Sequence, residues 1–271
     1  MRVREETVAI PVDGERIEGT LVLPLDVDAG APGVLCVHGW GGCQEQYLAA
    51  ARAIAALGCV ALTFDLRGHA ETSRLHDTVT REHSMRDVIA AYDRLASHPQ
   101  VDKSLMALVG ASYGAYLGAL LIYMRPLQLL ALRAPALYKD DNWGEPKRKL
   151  HVDPDFAAYR QLTLRAEDNR ALGACAQFLG DALVVESGRD EIIPHPAVAN
   201  YIAALANAHS LTYRVIEGAD HGLTQPSWEL AYTELLFGWL SEMIKDPHAQ
   251  IPRRSAVLRD SPLGAANPDA G

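Results

Sequence analysis

The sequence contains no long hydrophobic run and no paired cysteine motif. None of its uninterrupted apolar stretches reaches the ~18 residues that a membrane-spanning helix needs. The first ten residues, MRVREETVAI, are charged where a secretory signal requires an apolar stretch. The four cysteines (Cys36, Cys43, Cys59 and Cys175) form no CxxC pair and have no zinc-ligand spacing. We therefore expect a cytoplasmic protein with reduced thiols, of which Cys36 and Cys59 are buried in apolar runs.

Positive charge is also scarce. The chain has 25 Lys and Arg residues against 34 Asp and Glu residues, which gives a formal net charge of −9. Such an excess of negative charge repels phosphate groups, so neither a nucleic acid nor a membrane is expected as a partner. A NAD-binding enzyme is not indicated either, because no GxGxxG motif follows an early strand-like run.

Eight short apolar runs predict a β-sheet. Two of them flank the turn signal Asp13-Gly14 and predict an N-terminal hairpin. The other six are typical of parallel strands covered on both faces: PGVLCVH, GCVALTFD, SLMALVG, LQLLALRAP, DALVVES and LTYRVIE. Segments with helical period lie between them, such as SMRDVIAAYDRLASH, in which Ser84 and Asp87 suggest a capping box. We expect one α/β domain over residues 1–244, with a mostly parallel sheet of about eight strands and helices on both faces.

Two segments depart from this alternation. Residues 139–165 are polar, contain two prolines and lie between two predicted core strands, so we expect a small lid over the sheet edge. The basic run 147–149 within it is expected to be solvated, with attraction of an anionic substrate as the alternative. Residues 245–271 are rich in Pro, Gly and charge, and predict an extended or flexible tail that could reach a neighbouring subunit of a homo-oligomer.

A single hydroxyl stands where one apolar strand meets an apolar helix. The segment Gly110-Ala111-Ser112-Tyr113-Gly114 fits the pattern G-x-S-x-G in the strand-turn-helix context that this motif requires. Small residues two positions before and after the serine allow the sharp turn. Ser112 would then stand at the carboxyl end of a strand, where α/β sheets bind ligands, and the helix amides would face a developing anion.

At this motif the chain resembles the α/β-hydrolase family, in particular its serine esterases and prolyl-oligopeptidase-like catalytic domains, over residues 15–244. The family order is nucleophile, acid, histidine, and the resemblance implies Ser112, Asp190 and His221 for these roles. A serine hydroxyl needs an imidazole to accept its proton, and the imidazole needs a carboxylate to orient it. The rival acids are Glu191, the second choice, and Glu186 and Asp220.

Acyl transfer also requires two donors for an oxyanion. The resemblance implies the backbone N–H groups of Tyr113, which follows the nucleophile, and of Trp40 in the loop HGWGG. His38 in that loop is expected to be structural. The segment FDLRGHAETS resembles another family motif, with Ala70 where glycine is common. Its Asp65, Arg67 and His69 are expected to be structural, with a role at the pocket rim as the alternative. Trp40, Tyr113 and Trp143 could form aromatic walls of a pocket or simply pack in the core.

These features together predict a serine hydrolase that cleaves a carboxylic ester of a small to medium acyl substrate through an acyl-enzyme intermediate. The expected partner is a small-molecule acyl compound, and neither a metal nor an organic cofactor is expected. Cleavage of a thioester or an amide by the same residues is an alternative. A non-catalytic ligand-binding protein on the same scaffold is a second one, because a fold does not dictate a function.

Overall fold

Eight strands form one sheet in the computed structural model, which describes residues 1–245. Their bounds are β1 Val3–Val12, β2 Glu15–Pro24, β3 Ala31–Val37, β4 Val60–Phe64, β5 Val101–Ala111, β6 Leu129–Arg133, β7 Asp181–Ser187 and β8 Ser210–Ile216. The order across the sheet is β1-β2-β4-β3-β5-β6-β7-β8. Each of the eight apolar runs of the sequence coincides with one strand, so the predicted mostly parallel sheet is confirmed.

The first two strands form the predicted hairpin. They pair antiparallel, with Val12 opposite Glu15. The turn residues Asp13 and Gly14 have φ values of 49° and 78°, as a two-residue type I′ turn requires. β2 also pairs antiparallel with β4, whereas β3 to β8 are joined by parallel ladders. The carboxyl ends of these parallel strands therefore meet at one edge of the sheet.

Both faces of the parallel sheet are buried under helices. Successive side chains of a strand point to opposite faces, so each buried strand contributes to two separate hydrophobic clusters. In β3, Leu35 and Val37 belong to one hydrophobic cluster, and Val34 and Cys36 belong to the other. The α-helices are α1 Glu45–Ala56, α2 Arg81–Ala96, α3 Tyr113–Leu121, α4 Phe156–Tyr159, α5 Arg170–Cys175, α6 His195–Ala204 and α7 Pro226–Lys245. Helices α2, α3, α5 and α6 pack into the first cluster, and α1 and α7 pack into the second. None of the helices within residues 1–245 has both the length and the apolar character needed to cross a membrane.

Helix α2 begins earlier than its sequence suggests. Thr80 is its N-cap: the Thr80 hydroxyl accepts a hydrogen bond from the His83 N–H, and the His83 ring accepts one from the Thr80 N–H. The predicted capping pair is therefore wrong. The Ser84 hydroxyl donates to the Thr80 carbonyl, and Asp87 binds Arg67. An imidazole has replaced the usual Glu or Gln of the capping box, which hides this start from a pattern search.

Residues 139–165 connect β6 to α5 and β7 outside the sheet. They contain a 3₁₀-helix, Lys147–Val152, and the short helix α4. An isolated β-bridge between Thr80 and Pro146 fastens the segment to the start of α2. The lid and the domain boundary remain predictions. Lys245 is still part of α7, and residues 246–271 of the predicted tail lie outside the described residues.

All four cysteines are free, and three of them are buried. Cys36 lies in β3, and Cys59 directly precedes β4. Burial raises the pKa of both thiols to about 12. Burial also raises the pKa of Cys175. Cys43, two residues before α1, is half-buried.

Helix α3 passes very close to β3 at Gly114. A Cβ atom at this position would overlap the backbone carbonyl groups of Val37 and His38. Glycine therefore allows α3 to start directly beside the end of β3, which brings the Ser112 turn and the HGWGG loop together.

We expect Gly114→Ala to lower the free energy of unfolding by about 1–3 kcal/mol, because the added methyl group pushes against fixed backbone atoms. Urea denaturation measures this change. Gly238→Ala is the matched control, because no heavy atom lies within 4 Å of a Cβ at that position in α7. The control should gain about 0.5–1 kcal/mol from helix propensity. Equal stability of the two variants would contradict the close approach.

Candidate active site

Ser112 occupies the sharp turn between β5 and α3. Its φ and ψ are 52° and −114°, a backbone conformation that costs a non-glycine residue about 1–3 kcal/mol. Gly110 leaves room for this turn, since a Cβ there would lie 2.7 Å from the Gly114 carbonyl oxygen. The predicted strand-turn-helix context of the serine is therefore present at the carboxyl end of β5.

Backbone hydrogen bonds hold the Ser112 turn from two sides. The Ser112 N–H donates to the Arg133 carbonyl at 2.9 Å, and the Ser112 carbonyl accepts from the N–H groups of Tyr116 and Ala136, each at 3.1 Å. The Ser112 hydroxyl makes no hydrogen bond with another residue of the described part of the chain. The turn is thus fixed through its backbone, while the hydroxyl stays available to a ligand.

Asp190 and His221, 31 positions apart in the chain, form a hydrogen bond in space. His221 Nδ1 lies 2.7 Å from Asp190 Oδ2. Their loops follow β7 and β8, and the Arg189 N–H joins them by donating to the Ala219 carbonyl at 2.8 Å. The other ring nitrogen, His221 Nε2, makes no hydrogen bond within residues 1–245, and in particular none with Ser112. The structure thus pairs two of the three predicted residues directly.

The Asp190 carboxylate is nearly enclosed, with 3% of its side chain exposed. Burial acts to raise its pKa, but the hydrogen bonds from His221, Ile193 and Ile192 outweigh burial and hold the pKa below its usual value. The two backbone donors each lie 2.8 Å from Oδ1. Asp190 is therefore ionised at neutral pH and can fix the tautomer of the imidazole.

The rival acids are engaged elsewhere. Glu186, inside β7, contacts the His195 ring at 3.0 Å and accepts a hydrogen bond from the Tyr213 hydroxyl. Asp220 accepts from the Thr224 N–H at 3.0 Å. The third, Glu191, is exposed. Within the described residues, none of these three carboxylates is hydrogen-bonded to His221.

Arg133 connects the serine turn to the histidine loop. Its carbonyl accepts the Ser112 N–H, and its guanidinium Nη1 donates to the His221 carbonyl at 2.7 Å. The guanidinium also lies over the Tyr232 ring, 5.6 Å from the centroid. Our sequence interpretation missed this residue. The available signal was a charged residue at the end of the apolar run LQLLALRAP, at the same sheet edge as the other site residues.

Two buried histidines shape the HGWGG loop after β3. His38 Nε2 accepts the Leu66 N–H at 3.0 Å, so its Nδ1 carries the proton and donates to the Gly39 carbonyl at 2.7 Å. Burial lowers the pKa of His38 to about 4, which keeps the ring neutral. His69 Nε2 accepts the Gly41 N–H at 3.0 Å. Both side chains have the structural contacts that the sequence predicted.

The loop reaches the serine turn at Gly39. A Cβ on Gly39 would lie 3.4 Å from Ser112 Cβ, which is van der Waals contact. The rings of Trp40 and Tyr113 also meet, with centroids 5.7 Å apart. Neither the Trp40 nor the Tyr113 backbone N–H has an acceptor within the described residues. The two predicted oxyanion donors thus belong to segments that contact each other at the serine turn.

The FDLRGHAETS segment is tied to the fold by buried polar contacts. Asp65 accepts the Gln44 N–H at 2.8 Å. Arg67 forms ion pairs with Asp87 at 2.6 Å and with Asp13 at 2.9 Å. These bonds link the loop after β4 to α2 and to the hairpin, in keeping with the structural roles expected for Asp65 and Arg67.

The basic run 147–149 is divided between solvent and core. The side chains of Arg148 and Lys149 are 57% and 60% exposed, as a solvated run requires. For Lys147 the expectation is wrong, because this residue is fully buried and its Nζ lies 4.6 Å from the Trp40 ring centroid. Its burial depends on aromatic residues far away in the chain, for which the local sequence gives no signal. Trp143, the third predicted aromatic wall, packs against the Arg81 guanidinium.

The strand order, the strained serine turn and the carboxylate–imidazole pair at the strand ends define an α/β hydrolase. Residues 31–170, just over half of the chain, match the family described as serine aminopeptidase, S33, and the chain belongs to this family. An uncharacterised protein of Mycobacterium tuberculosis is 26% identical over 209 residues, which cover 77% of this chain and 69% of that protein.

Solved structures with the same fold include two hydrolase-fold enzymes. Est1E from Butyrivibrio proteoclasticus, in a structure with bound ferulic acid, has a TM-score of 0.69 at 17% identity, covering 88% of this chain and 100% of that one. Dienelactone hydrolase from Anabaena variabilis has a TM-score of 0.62 at 19% identity, covering 89% and 99% of the two chains. The α/β-hydrolase fold implied by the sequence is therefore confirmed.

Arg133→Met should loosen the histidine loop, because the His221 carbonyl loses a charge-assisted hydrogen bond. We expect a loss of about 1–3 kcal/mol in the free energy of unfolding and faster amide hydrogen exchange in residues 219–223. Arg214→Met is the matched control, because the Arg214 guanidinium is exposed and donates to the carbonyl of its own neighbour Tyr213. Equal exchange rates in the two variants would contradict the link.

Proposed function

We propose that this protein is a serine hydrolase that cleaves carboxylic esters of small to medium acyl compounds through an acyl-enzyme intermediate. Ser112 is the nucleophile, His221 the general base and acid, and Asp190 the carboxylate that orients the imidazole. The main support is the 2.7 Å hydrogen bond between His221 and Asp190 at the sheet edge that carries the strained Ser112 turn.

In the first half of the reaction, His221 Nε2 takes the proton from Ser112 Oγ as that oxygen attacks the acyl carbon. The oxyanion that forms accepts hydrogen bonds from the backbone N–H groups of Trp40 and Tyr113. Collapse of this intermediate breaks the ester bond, and the imidazolium gives its proton to the departing alcohol. Water then attacks the acyl-enzyme by the same route and releases the carboxylic acid and free Ser112.

Ester cleavage is favoured over the alternatives by the compound bound in a structurally similar protein. Est1E holds ferulic acid, a carboxylic acid of the kind that ester hydrolysis releases. The family description, a serine aminopeptidase, favours amide cleavage as the second candidate. Thioester cleavage needs the same groups. A non-catalytic ligand-binding protein is the remaining alternative.

The other expectations from the sequence keep the status of predictions. They are a cytoplasmic location, a small-molecule acyl partner without nucleic acid or membrane partners, chemistry without metal or cofactor, and self-association through residues 245–271. Gel filtration of the full chain beside a chain ending at residue 245 tests the last of these.

A fluorophosphonate probe should label Ser112 covalently, and Ser112→Ala should abolish turnover of p-nitrophenyl esters. Ser104→Ala is the matched control, because Ser104 lies on the same strand β5, is exposed and donates through its hydroxyl to Asp102. Mass spectrometry of the labelled peptide identifies the modified residue. A folded protein that takes no label and turns over no ester would refute catalysis and favour the binding-protein alternative.

Asp190→Asn should reduce kcat by roughly 10³- to 10⁴-fold, because an amide neither fixes the productive tautomer nor stabilises the imidazolium. The exposed neighbouring carboxylate provides the control Glu191→Gln, which should keep wild-type kcat. Steady-state kinetics with p-nitrophenyl acetate measures both. If the two variants lost activity equally, the acid would be wrongly assigned.

A further inference from the structure

Lys147 lies with its ammonium group among aromatic rings. Nζ is 4.6 Å from the ring centroid of Trp40 and 4.9 Å from those of Tyr113 and Tyr138. These distances are within the range in which a cation is attracted to the face of a ring, and the attraction is stronger when the cation is desolvated. Lys147 is fully buried.

The backbone of Lys147 is fixed as well. Its N–H donates to the Val79 carbonyl at 2.8 Å, and the preceding residue, Pro146, forms the β-bridge with Thr80. The ammonium group is therefore carried on a segment that is anchored at the start of α2, outside the HGWGG loop and outside α3.

Two of the three rings around Nζ belong to the residues assigned to the oxyanion hole. Trp40 carries one backbone donor and Tyr113 the other. These donors come from segments 73 positions apart in the sequence that must keep a fixed spacing to bind one oxyanion. Since their rings share one cation, a displacement of either residue weakens its contact with Nζ.

The charge on Lys147 is sensitive to pH. Burial, together with the nearby cations Arg160 and Arg81, lowers the pKa of Lys147 to about 7. The phenols of Tyr113 and Tyr138 face the same space, and burial raises the pKa of each, so both stay neutral around pH 7. The ammonium form is thus present below about pH 7 and is lost above it.

Two further titratable groups contact Trp40 from other segments. The ring centroids of His69 and His76 lie 4.9 Å and 5.0 Å from that of Trp40. Burial lowers the pKa of His69. A pH effect transmitted through Trp40 could originate in these rings, so the test must separate them from Lys147.

We propose that Lys147 is a positioning residue whose ammonium group holds Trp40 and Tyr113, and with them the two oxyanion donors, at the spacing that acyl transfer requires. This inference rests on the proposed serine hydrolase function and extends it to a residue of the predicted lid. Lys147 acts on the donors through the two rings and takes no part in bond making or breaking.

The test compares Lys147→Met with Lys149→Met. The first variant keeps the length of the side chain and removes its charge, and the second makes the same change at a side chain that is 60% exposed. We expect Lys147→Met to lower kcat for p-nitrophenyl acetate by about 10- to 100-fold with little change in KM, because small misplacements of catalytic groups cost this much. Lys149→Met should keep the wild-type kcat.

The pH profile supplies a readout that a merely structural lysine would not move. The ratio of kcat in wild type to kcat in Lys147→Met should fall as the pH rises through about 7, with unchanged circular dichroism, since deprotonation removes the cation from wild type. The protonation of the general base His221, and that of His69 and His76, affects both proteins and cancels in this ratio. A ratio that does not change with pH overturns the proposal. It is equally overturned if Lys147→Met keeps wild-type kcat.

Two outcomes need separate interpretation. If Lys147→Met does not fold, Lys147→Gln takes its place in the same ratio, and a ratio that stays level from pH 6 to pH 9 overturns the proposal. The rate of fluorophosphonate labelling separates a failure of the hydrolase function from a failure of the role of Lys147. A wild-type protein that is not labelled at Ser112 refutes the hydrolase function, whereas equal labelling rates in wild type and Lys147→Met refute the role of Lys147 alone.

Discussion

The backbone of Ser112 is held in an unfavourable conformation, and the whole candidate site is organised around it. A φ of 52° at a serine persists only when the surroundings determine it. Here the Ser112 N–H donates to the Arg133 carbonyl, and the Ser112 carbonyl accepts from the N–H groups of Tyr116 and Ala136. Gly114 has no side chain, so α3 can start directly beside the end of β3. The hydrogen bonds and this close contact together offset the cost of the strained serine conformation.

The same sheet edge gathers the other groups, because β3, β5, β6, β7 and β8 run parallel and end together. Each contributes one loop, and hydrogen bonds join the loops after β5, β6, β7 and β8, while the loop after β3 touches the serine turn at Gly39. Arg133 joins the serine turn to the His221 loop, and the Asp190 turn is joined to that loop by both backbone and side chain. The polar groups thus form a connected framework across strand ends, which limits how far any one of them can move.

The sequence predicted those parts of the structure that depend on local pattern. All eight strands were visible because each is a short apolar run, and the hairpin was visible in Asp13-Gly14. Asp190 and His221 were identified from chain order within the family, and they meet as expected. Their assignment to the same site as Ser112 came from the family motif, because no local property of the three segments shows that they lie together.

The parts that sequence reasoning missed depend on contacts between distant residues. Arg133 and His221 are 88 positions apart, and no periodicity reveals their hydrogen bond. The sequence places Lys147 in a run of three basic residues, which is typical of an exposed surface. Only the folded chain brings the rings of Trp40 and Tyr113 next to its ammonium group. The start of α2 was misplaced for a different reason: the cap uses a histidine, which the common pattern does not include.

The distribution of the thiols gives this protein a convenient chemical handle. Three of the four cysteines are buried in the core, and burial raises their pKa values: Cys36, Cys59 and Cys175. A maleimide reagent reacts with the thiolate form, which is scarce at these positions. Cys43 is the half-buried member of the four and stands next to Gly42 of the HGWGG loop. A fluorophore attached at this one position, without any engineered substitution, would follow the loop beside Ser112 in real time.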